Sequence, residues 1–194
     1  MRYEKGHNDT TRQRIIDGAA RRFREHGVAA AGVAAVMSDA GLTNGAFYTH
    51  FESKEDLFCH VLQSLLEKRL EMLQASIDKG GMVEAVENYL SVRHRDAPGT
   101  GCATAALAPE VGRHPMPTRE IFTAKVGKII DLMAAQLPSD STSSQRRNAI
   151  ALYGLMIGTL QLARAVSDRK FSDEILESGI QAATALIGRD GLPI

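Results

Sequence analysis

A chain of 194 residues with 23 basic and 23 acidic side chains has no formal net charge, which excludes a bulk-basic nucleic-acid coat and an acidic solvating tail. Hydrophobic residues at 44% and charged residues at 24% fit a soluble globular protein, built as one large domain or as a small one joined to a medium one. Two cysteines are too few for a disulfide framework, and 5% aromatics with no tryptophan argue against a stacking platform for single-stranded nucleic acid.

The first nine residues, Met1 to Asp9, are polar and lack the apolar stretch of a signal peptide, so a reducing cytoplasm is the expected compartment. The pattern beyond is helical nearly throughout, with no persuasive strand. A first helix is predicted from Thr10 or Thr11, with Gln13 closing a capping box on Thr10. Ile15, Ile16, Ala19, Ala20 and Phe23 give it one apolar face, and Gly27 is its left-handed stop. Val33 to Ala40 reads as a short helix, Gly41-Leu42-Thr43 as a turn, and Asn44 to His50 as a second short helix. Ser53 then reads as an N-cap, with Glu55 and Asp56 in a first turn whose dipole favours acids. Leu57, Phe58, Val61, Leu62, Leu65, Leu66, Leu70 and Leu73 make the long amphipathic helix that follows, predicted to end near Asp78, before Gly80-Gly81.

A helix over Met82 to Val92 comes next, then a loop from Arg93 to Cys102, then a small-residue helix over Ala103 to Val111 that Pro115 and Pro117 terminate. Thr118 is predicted to cap a helix carrying Ile121, Phe122, Val126, Ile129, Ile130 and Met133. Pro138 to Ser144 is a polar turn, and two last helices span Gln145 to Ser167 and Asp173 to Ile187, the second capped by Ser172. The result is an all-α chain of about nine helices. Its most apolar stretch, Ala149 to Ala163, is interrupted by Thr159 and Gln161 and is shorter than the roughly 18–20 residues of a membrane span, so no membrane is expected.

The chemistry concentrates in Gly41-Leu42-Thr43-Asn44-Gly45-Ala46-Phe47-Tyr48-Thr49-His50-Phe51, followed by Ser53-Lys54. Helix, glycine-containing turn and second helix make a helix-turn-helix signature, whose second helix is the one that enters a major groove. Val33, Val36, Met37, Ala40, Leu42, Phe47 and Phe51 can fill its small core, leaving Thr43, Asn44, Ala46, Tyr48, Thr49 and His50 outward or sideways. Geometry alone leaves open a plain surface hairpin over a buried phenylalanine pair. The run from Ile15 to Leu57 resembles the DNA-binding domain of the tetracycline-repressor (TetR) family. The likeness rests on Ala19, Phe23, Gly27, Ala40-Gly41-Leu42, Gly45 through Phe51, Lys54 and Leu57, in the family's order and spacing.

That resemblance implies an N-terminal three-helix DNA-binding domain over residues 1–53 and a helical ligand-binding and dimerisation domain over 54–194. The chain is then expected to be a homodimeric transcriptional repressor, released from a palindromic operator in double-stranded DNA by a small-molecule effector, with no cofactor and no enzymatic activity. The implied DNA contacts are Thr43, Asn44, Gly45, Ala46, Tyr48, Thr49, His50 and Lys54. Asn44 would read a base edge, its amide suiting adenine N6 and N7. Thr43 would reach a base or phosphate, Ala46 a thymine methyl, and Tyr48, His50 and Lys54 phosphates. The chain departs from the family pattern at Gly32 and Ala34, where members often carry a Ser or Thr cap and a phosphate-binding Arg. A compensating basic face is read at the front, where Arg2, Lys5, Arg12, Arg14, Arg21, Arg22 and Arg24 outnumber Glu4, Asp9 and Asp17; the alternative is a solvated helix side without a partner. From Glu25 to His60 the excess is returned, with five acids against Lys54.

For the dimer, Gly154 and Gly158 are small residues four apart, and Ile150, Ile157 and Gln161 share their stripe; Leu176, Ile180 and Ala183, with Ile175, Gly179 and Leu186, give a second. The alternative is that both stripes are intramolecular core. Candidate effector contacts are Tyr89, Cys102, Leu107, Phe122, Val126, Met133, Tyr153 and Met156, most of which read more readily as core. Cys102 opens a helix, which favours a thiolate and so a sensor of oxidants or electrophiles, against the reading of a small buried thiol. His94, Cys102 and His114 match no trusted metal spacing, so no metal is expected. Two other functions compete: an enzyme with Cys102 as nucleophile and His94 or His114 as base, and a helical adaptor that binds only protein.

Overall fold

Nine α-helices and no strand are present among the described residues, 4–138 and 142–188, of a computed structural model. Arg2, residues 139–141 of the predicted polar turn, and the side chain of Lys5 lie outside what is described. The helices are α1 (Glu4–His26), α2 (Val33–Asp39), α3 (Phe47–His50), α4 (Lys54–Tyr89), α5 (Val92–Arg95), α6 (Ala103–Val111), α7 (Met116–Ala134), α8 (Thr142–Ala165) and α9 (Arg169–Ile187). Two 3-10 turns, Asn44–Ala46 and Pro98–Thr100, complete the order.

The apolar face of α1 is buried as its spacing demands: Ile15, Ile16, Ala19, Ala20 and Phe23 pack onto Leu57, Phe58, Val61 and Leu62 of α4 in one core. Phe23 meets Phe58 edge to face at 5.7 Å. Gly27 ends α1 with φ +81, a conformation that costs little only where there is no side chain. Helix α2, the 3-10 turn Asn44–Ala46 and α3 sit on this end, and α4 carries the core on to α7 and α9, which pack against α8. No described helix is long and apolar enough to cross a membrane.

Several predicted boundaries move. Helix α1 starts at Glu4, not at Thr10 or Thr11, so no capping box forms; Gln13 instead donates to Asp17 one turn ahead at 3.1 Å. Apolar spacing marks only the buried part of a helix, and the turns before Ile15 carry none. Helix α4 is interrupted at Gly80 (φ −148) and Gly81 (φ +76), two residues past the predicted end, and resumes to Tyr89. The expected loop 93–102 holds a helical turn and a 3-10 turn. Pro115 is the cap of α7 and Pro117 lies in its first turn, where a missing N–H is no loss. Thr118 therefore points inward and donates to Glu55. Asp168, not Ser172, caps α9, accepting from Phe171 N–H at 2.8 Å. Ser172 is buried, donates to the Ala163 carbonyl at 2.6 Å and accepts from Arg95, whose buried guanidinium also binds Asp96 and Asp173. A buried arginine needs these acceptors, and that need outranks the capping preference.

Candidate functional site

Gly32 is the N-cap of α2 in extended geometry, with no side-chain cap. The turn after α2 leads into the 3-10 turn Asn44–Ala46 and then α3, so the predicted second helix is present but begins as the tighter form. Phe47 and Phe51 lie beneath it, 1% and 2% exposed, with ring centroids 5.7 Å apart. They are core, as expected. Above them Thr43, Asn44, Gly45 and Thr49 are exposed, Ala46 and His50 half-buried, and Tyr48 is 74% exposed while its ring meets Phe47 edge to face. A Cβ on Gly45 would meet nothing within 4 Å, so the chain itself makes no demand for glycine there. Thr43, Asn44, Gly45, Tyr48 and Thr49 are thus open to solvent around two buried rings.

Among the described residues, the cations of α1 do not form one basic surface. Arg22 makes a two-pronged pair with Asp39 at 2.7 and 2.8 Å, Arg14 donates to the Ala40 carbonyl at 2.6 Å, and Arg21 pairs with Glu25 at 3.0 Å. Arg12 lies over the Phe51 ring at 4.9 Å. Arg24 turns the other way, towards Gly101. These charges are neighbours in sequence, and the helix distributes them over different sides. Lys54, the first residue of α4, has Nζ donating to the Ala29 carbonyl at 3.3 Å and two N–H donors to spare.

Side-chain contacts hold this head against the rest of the chain, and others brace the start of α4. Glu110, in the last turn of α6, accepts from the N–H groups of Val28 (2.9 Å) and Ala29 (3.2 Å) beyond Gly27. Glu55, in the first turn of α4, holds His114 Nδ1 at 2.9 Å and the Thr118 hydroxyl. His114 in turn stacks against Phe58 at 4.7 Å.

A cavity of about 860 Å³ opens between α1, α4, α5 and the segment leading into α6. Of the eight predicted effector residues, Tyr89 and Cys102 line it. Leu107, Met133, Tyr153 and Met156 are instead buried in the core outside its lining, the Tyr153 hydroxyl donating to Thr104 at 2.9 Å; Phe122 and Val126 are half-buried on α7, also away from it. Their apolar character fits both roles, and they pack outside this cavity's lining. The lining that sequence reasoning missed includes Ala20, Arg21 and Arg24 of α1 and Leu65, Lys68, Arg69, Met72 and Leu73 of α4. A signal was present: in α4 two cations, Lys68 and Arg69, sit among leucines at helical spacing.

His94 forms one wall. Its Nδ1 faces the Tyr89 carbonyl at 2.6 Å and its Nε2 accepts from Cys102 N–H at 3.0 Å, so the neutral ring with a proton on Nδ1 satisfies both. Burial lowers its pKa to about 4, which keeps it in that form at neutral pH. Both nitrogens are committed to backbone groups, and His114 is committed to Glu55, so neither is aimed at the Cys102 thiol as a base. No cluster of three metal-ligating side chains occurs among the described residues.

On α8, Gly154 and Gly158 face open space, with nothing within 4 Å of an added Cβ, and Ile150 and Leu162 are half exposed beside them. Ile157 and Ile180 are partly buried, and Gln161 donates to the Ala105 carbonyl at 2.7 Å. Leu176 and Ala183, predicted at a dimer face, are instead buried inside this chain at 3% and 0% exposure. Gly179 belongs to the same inner seam, since a Cβ there would lie 2.3 Å from Thr159.

Residues 15–61 match the family model described as bacterial regulatory proteins, tetR family. The regulator AcrR of Shigella flexneri is 43% identical over 51 residues, 26% of this chain and 24% of its own length. The repressor DhaR of Mycobacterium sp. (strain GP1) is 26% identical over 102 residues, 52% of each chain. The matches to these curated relatives therefore span about a quarter to a half of their length. Among solved structures, reduced NemR of E. coli superposes with a TM-score of 0.77 at 20% identity, over 92% of this chain and 97% of its own. A TetR-family regulator from Cytophaga hutchinsonii gives 0.76 at 20% identity, over 94% and 97%. These show that the fold extends through both halves of the chain.

Proposed function

The chain belongs to the TetR family of bacterial regulatory proteins, and on that footing we propose that it is a homodimeric repressor whose hold on a palindromic operator is released by a small molecule in the cavity beside α1. The observation that carries the DNA-binding part is the exposed set Thr43, Asn44, Gly45, Tyr48 and Thr49, held over the buried Phe47–Phe51 pair. Asn44 reads a base edge, Thr43 a base or phosphate, and Ala46 a thymine methyl; Gly45 lets the duplex approach. Tyr48, Thr49, His50 and the spare donors of Lys54 hold phosphates. Residues 1–53 form the reading head and 54–194 the effector and dimer unit. Two-fold operators require two heads, and the open stripe of Ile150, Gly154, Ile157 and Gly158 is the place for a second copy, with Gln161 and Ile180 at its margin. Helix α4 begins beside the reading helix and lines the cavity further on, while α1 contributes both core to the head and Arg24 to the cavity. A ligand that favours one placement of α1 against α4 is thereby linked to head position, and the linkage is reciprocal.

A mobility-shift titration on the DNA upstream of the protein's own gene tests this reading. Binding of two chains per duplex, surviving excess unrelated competitor DNA, is expected; affinity equal to that for the competitor contradicts it. Asn44→Ala is expected to lose about 1–3 kcal/mol of preference at one base step of each half-site. A uniform loss over all sequences would mean that Asn44 does not read a base.

A further inference from the structure

We propose that the cavity beside α1 is a receptor for a small organic anion, a monocarboxylate with an apolar body, whose charged group is held by Arg24 and Arg69 and by the Tyr89 hydroxyl. The starting observation is where buried polar atoms lack partners. Among the described residues the side-chain atoms that are buried without a hydrogen bond are Arg24 Nε, Arg69 Nε and Tyr89 Oη, and all three residues line this cavity. A native core leaves few such atoms, because an unmet buried donor costs about 1–3 kcal/mol and more when charged. The three residues that carry these donors line one space large enough for a drug-sized molecule, and an acceptor there would complete them.

The sign of the missing group follows from the charges around it. The cavity is lined by Arg21, Arg24, Lys68, Arg69 and Arg93, against Asp17. Arg21 and Lys68 are already paired, with Glu25 and Asp17 at 3.0 and 3.3 Å. Arg24 and Arg69 are in no ion pair among the described residues; the one bond of Arg24 is a long one, 3.4 Å, to the Gly101 carbonyl. Burial pushes the Arg24 guanidinium below its usual value, the mark of a cation whose charge is not fully compensated. The Arg69 guanidinium lies over the Tyr89 ring, 4.7 Å from its centroid, so cation and phenol are presented side by side. Tyr89 is 2% exposed and burial holds its pKa well above the usual value, so it stays a neutral O–H donor. His94, uncharged at neutral pH, adds no competing cation. A carboxylate matches this set: it takes two-pronged bonds from guanidinium and a further bond from a phenol. Leu65, Leu73, Ala20 and Ala85 offer the apolar surface for the remainder of the molecule.

Regulation by such an anion rests on the function proposed above; binding does not, and the test separates them. Displacement of the fluorescent anion 8-anilinonaphthalene-1-sulfonate from the full chain is measured with benzoate and octanoate and with their neutral amides. At least one carboxylate is expected to bind about tenfold or more tightly than its amide, and Arg24→Gln or Arg69→Gln to weaken it by about tenfold or more. Tyr89→Phe, which removes the unpartnered hydroxyl, is expected to keep or raise the melting temperature while weakening the same carboxylate. Amides binding as well as carboxylates, arginine variants that bind the carboxylates as wild type does, or no binding of either carboxylate would overturn the proposal. Anion binding that leaves operator affinity unchanged sinks the regulatory reading and upholds the site. Release from DNA by the neutral amides alone upholds regulation and sinks the site.

Discussion

The reading head and the cavity are both incomplete surfaces, and they are incomplete in opposite ways. In the head the described cations of α1 are largely engaged inside the chain, Arg14 on Ala40 and Arg22 on Asp39, and the open groups of Thr43 to Thr49 face water that satisfies them. In the cavity wall the Nε atoms of Arg24 and Arg69 and the Tyr89 hydroxyl are buried without a hydrogen-bond partner. A head built this way depends on a few placed contacts and dimer symmetry, so its non-specific affinity is expected to be weak. A cavity built this way gains most from one anion. Arg21 and Arg24, three residues apart on one side of α1, line the cavity, while Arg22 between them is turned to another side and pairs with Asp39.

The largest expected effect breaks the head alone. Phe47→Ala removes the ring on which the whole surface rests and is expected to cost about 3–5 kcal/mol, read from a urea midpoint, with loss of operator binding. Retained DNA binding at wild-type affinity would show that α3 does not need that base. Next, acid is expected to act on the cavity wall. His94 has a folded pKa of about 4 against the usual 6.5, so between those values the unfolded chain binds the extra proton and stability falls as pH drops through that window. The loss is at most about 3 kcal/mol, from roughly 1.36 kcal/mol per pH unit, reduced by the solvent that reaches the half-buried ring. Urea midpoints of wild type and His94→Gln at pH 7 and pH 4.5 check it: the variant should lose that share of the pH dependence, and parallel curves would contradict it.

Smaller effects test the link between the two regions. Glu110→Ala leaves the Val28 and Ala29 N–H groups without their acceptor and is expected to cost about 1–3 kcal/mol, with faster amide exchange confined to the α1–α2 turn. Unchanged exchange there would mean that α6 does not hold the head. Last, Lys54→Ala is expected to weaken all DNA sequences alike and to flatten the salt slope by about 0.9 for each phosphate that the lysine neutralises. An unchanged slope would leave Lys54 with the Ala29 carbonyl as its sole task.

The head was readable because its determinants are local. Gly27 and Gly41 punctuate it, the Phe47–Phe51 pair repeats at one helical turn, and Ser53 caps α4 by accepting from Asp56 N–H at 3.0 Å, as its position predicted. The break at Gly80-Gly81 was legible for the same reason. The cavity was not, apart from Tyr89 and Cys102, because its walls come from segments far apart in sequence, Asp17 to Arg24, Leu65 to Tyr89 and Arg93 to Ala103. Side choice was the other weak point. Leu176 and Ala183 carry the same apolar signal whether they meet α8 of their own chain or a partner, and Thr118 and Ser172 look like caps until Glu55 and Arg95 claim their hydroxyls.

The most direct test of the central claim is selection of bound sites by the purified protein from a pool of random duplexes. The account predicts enrichment of one sequence made of two inverted half-sites, with a base step in each that loses its preference in Asn44→Ala. Recovery of sequences no different from the starting pool, or of a site without two-fold symmetry, would contradict it.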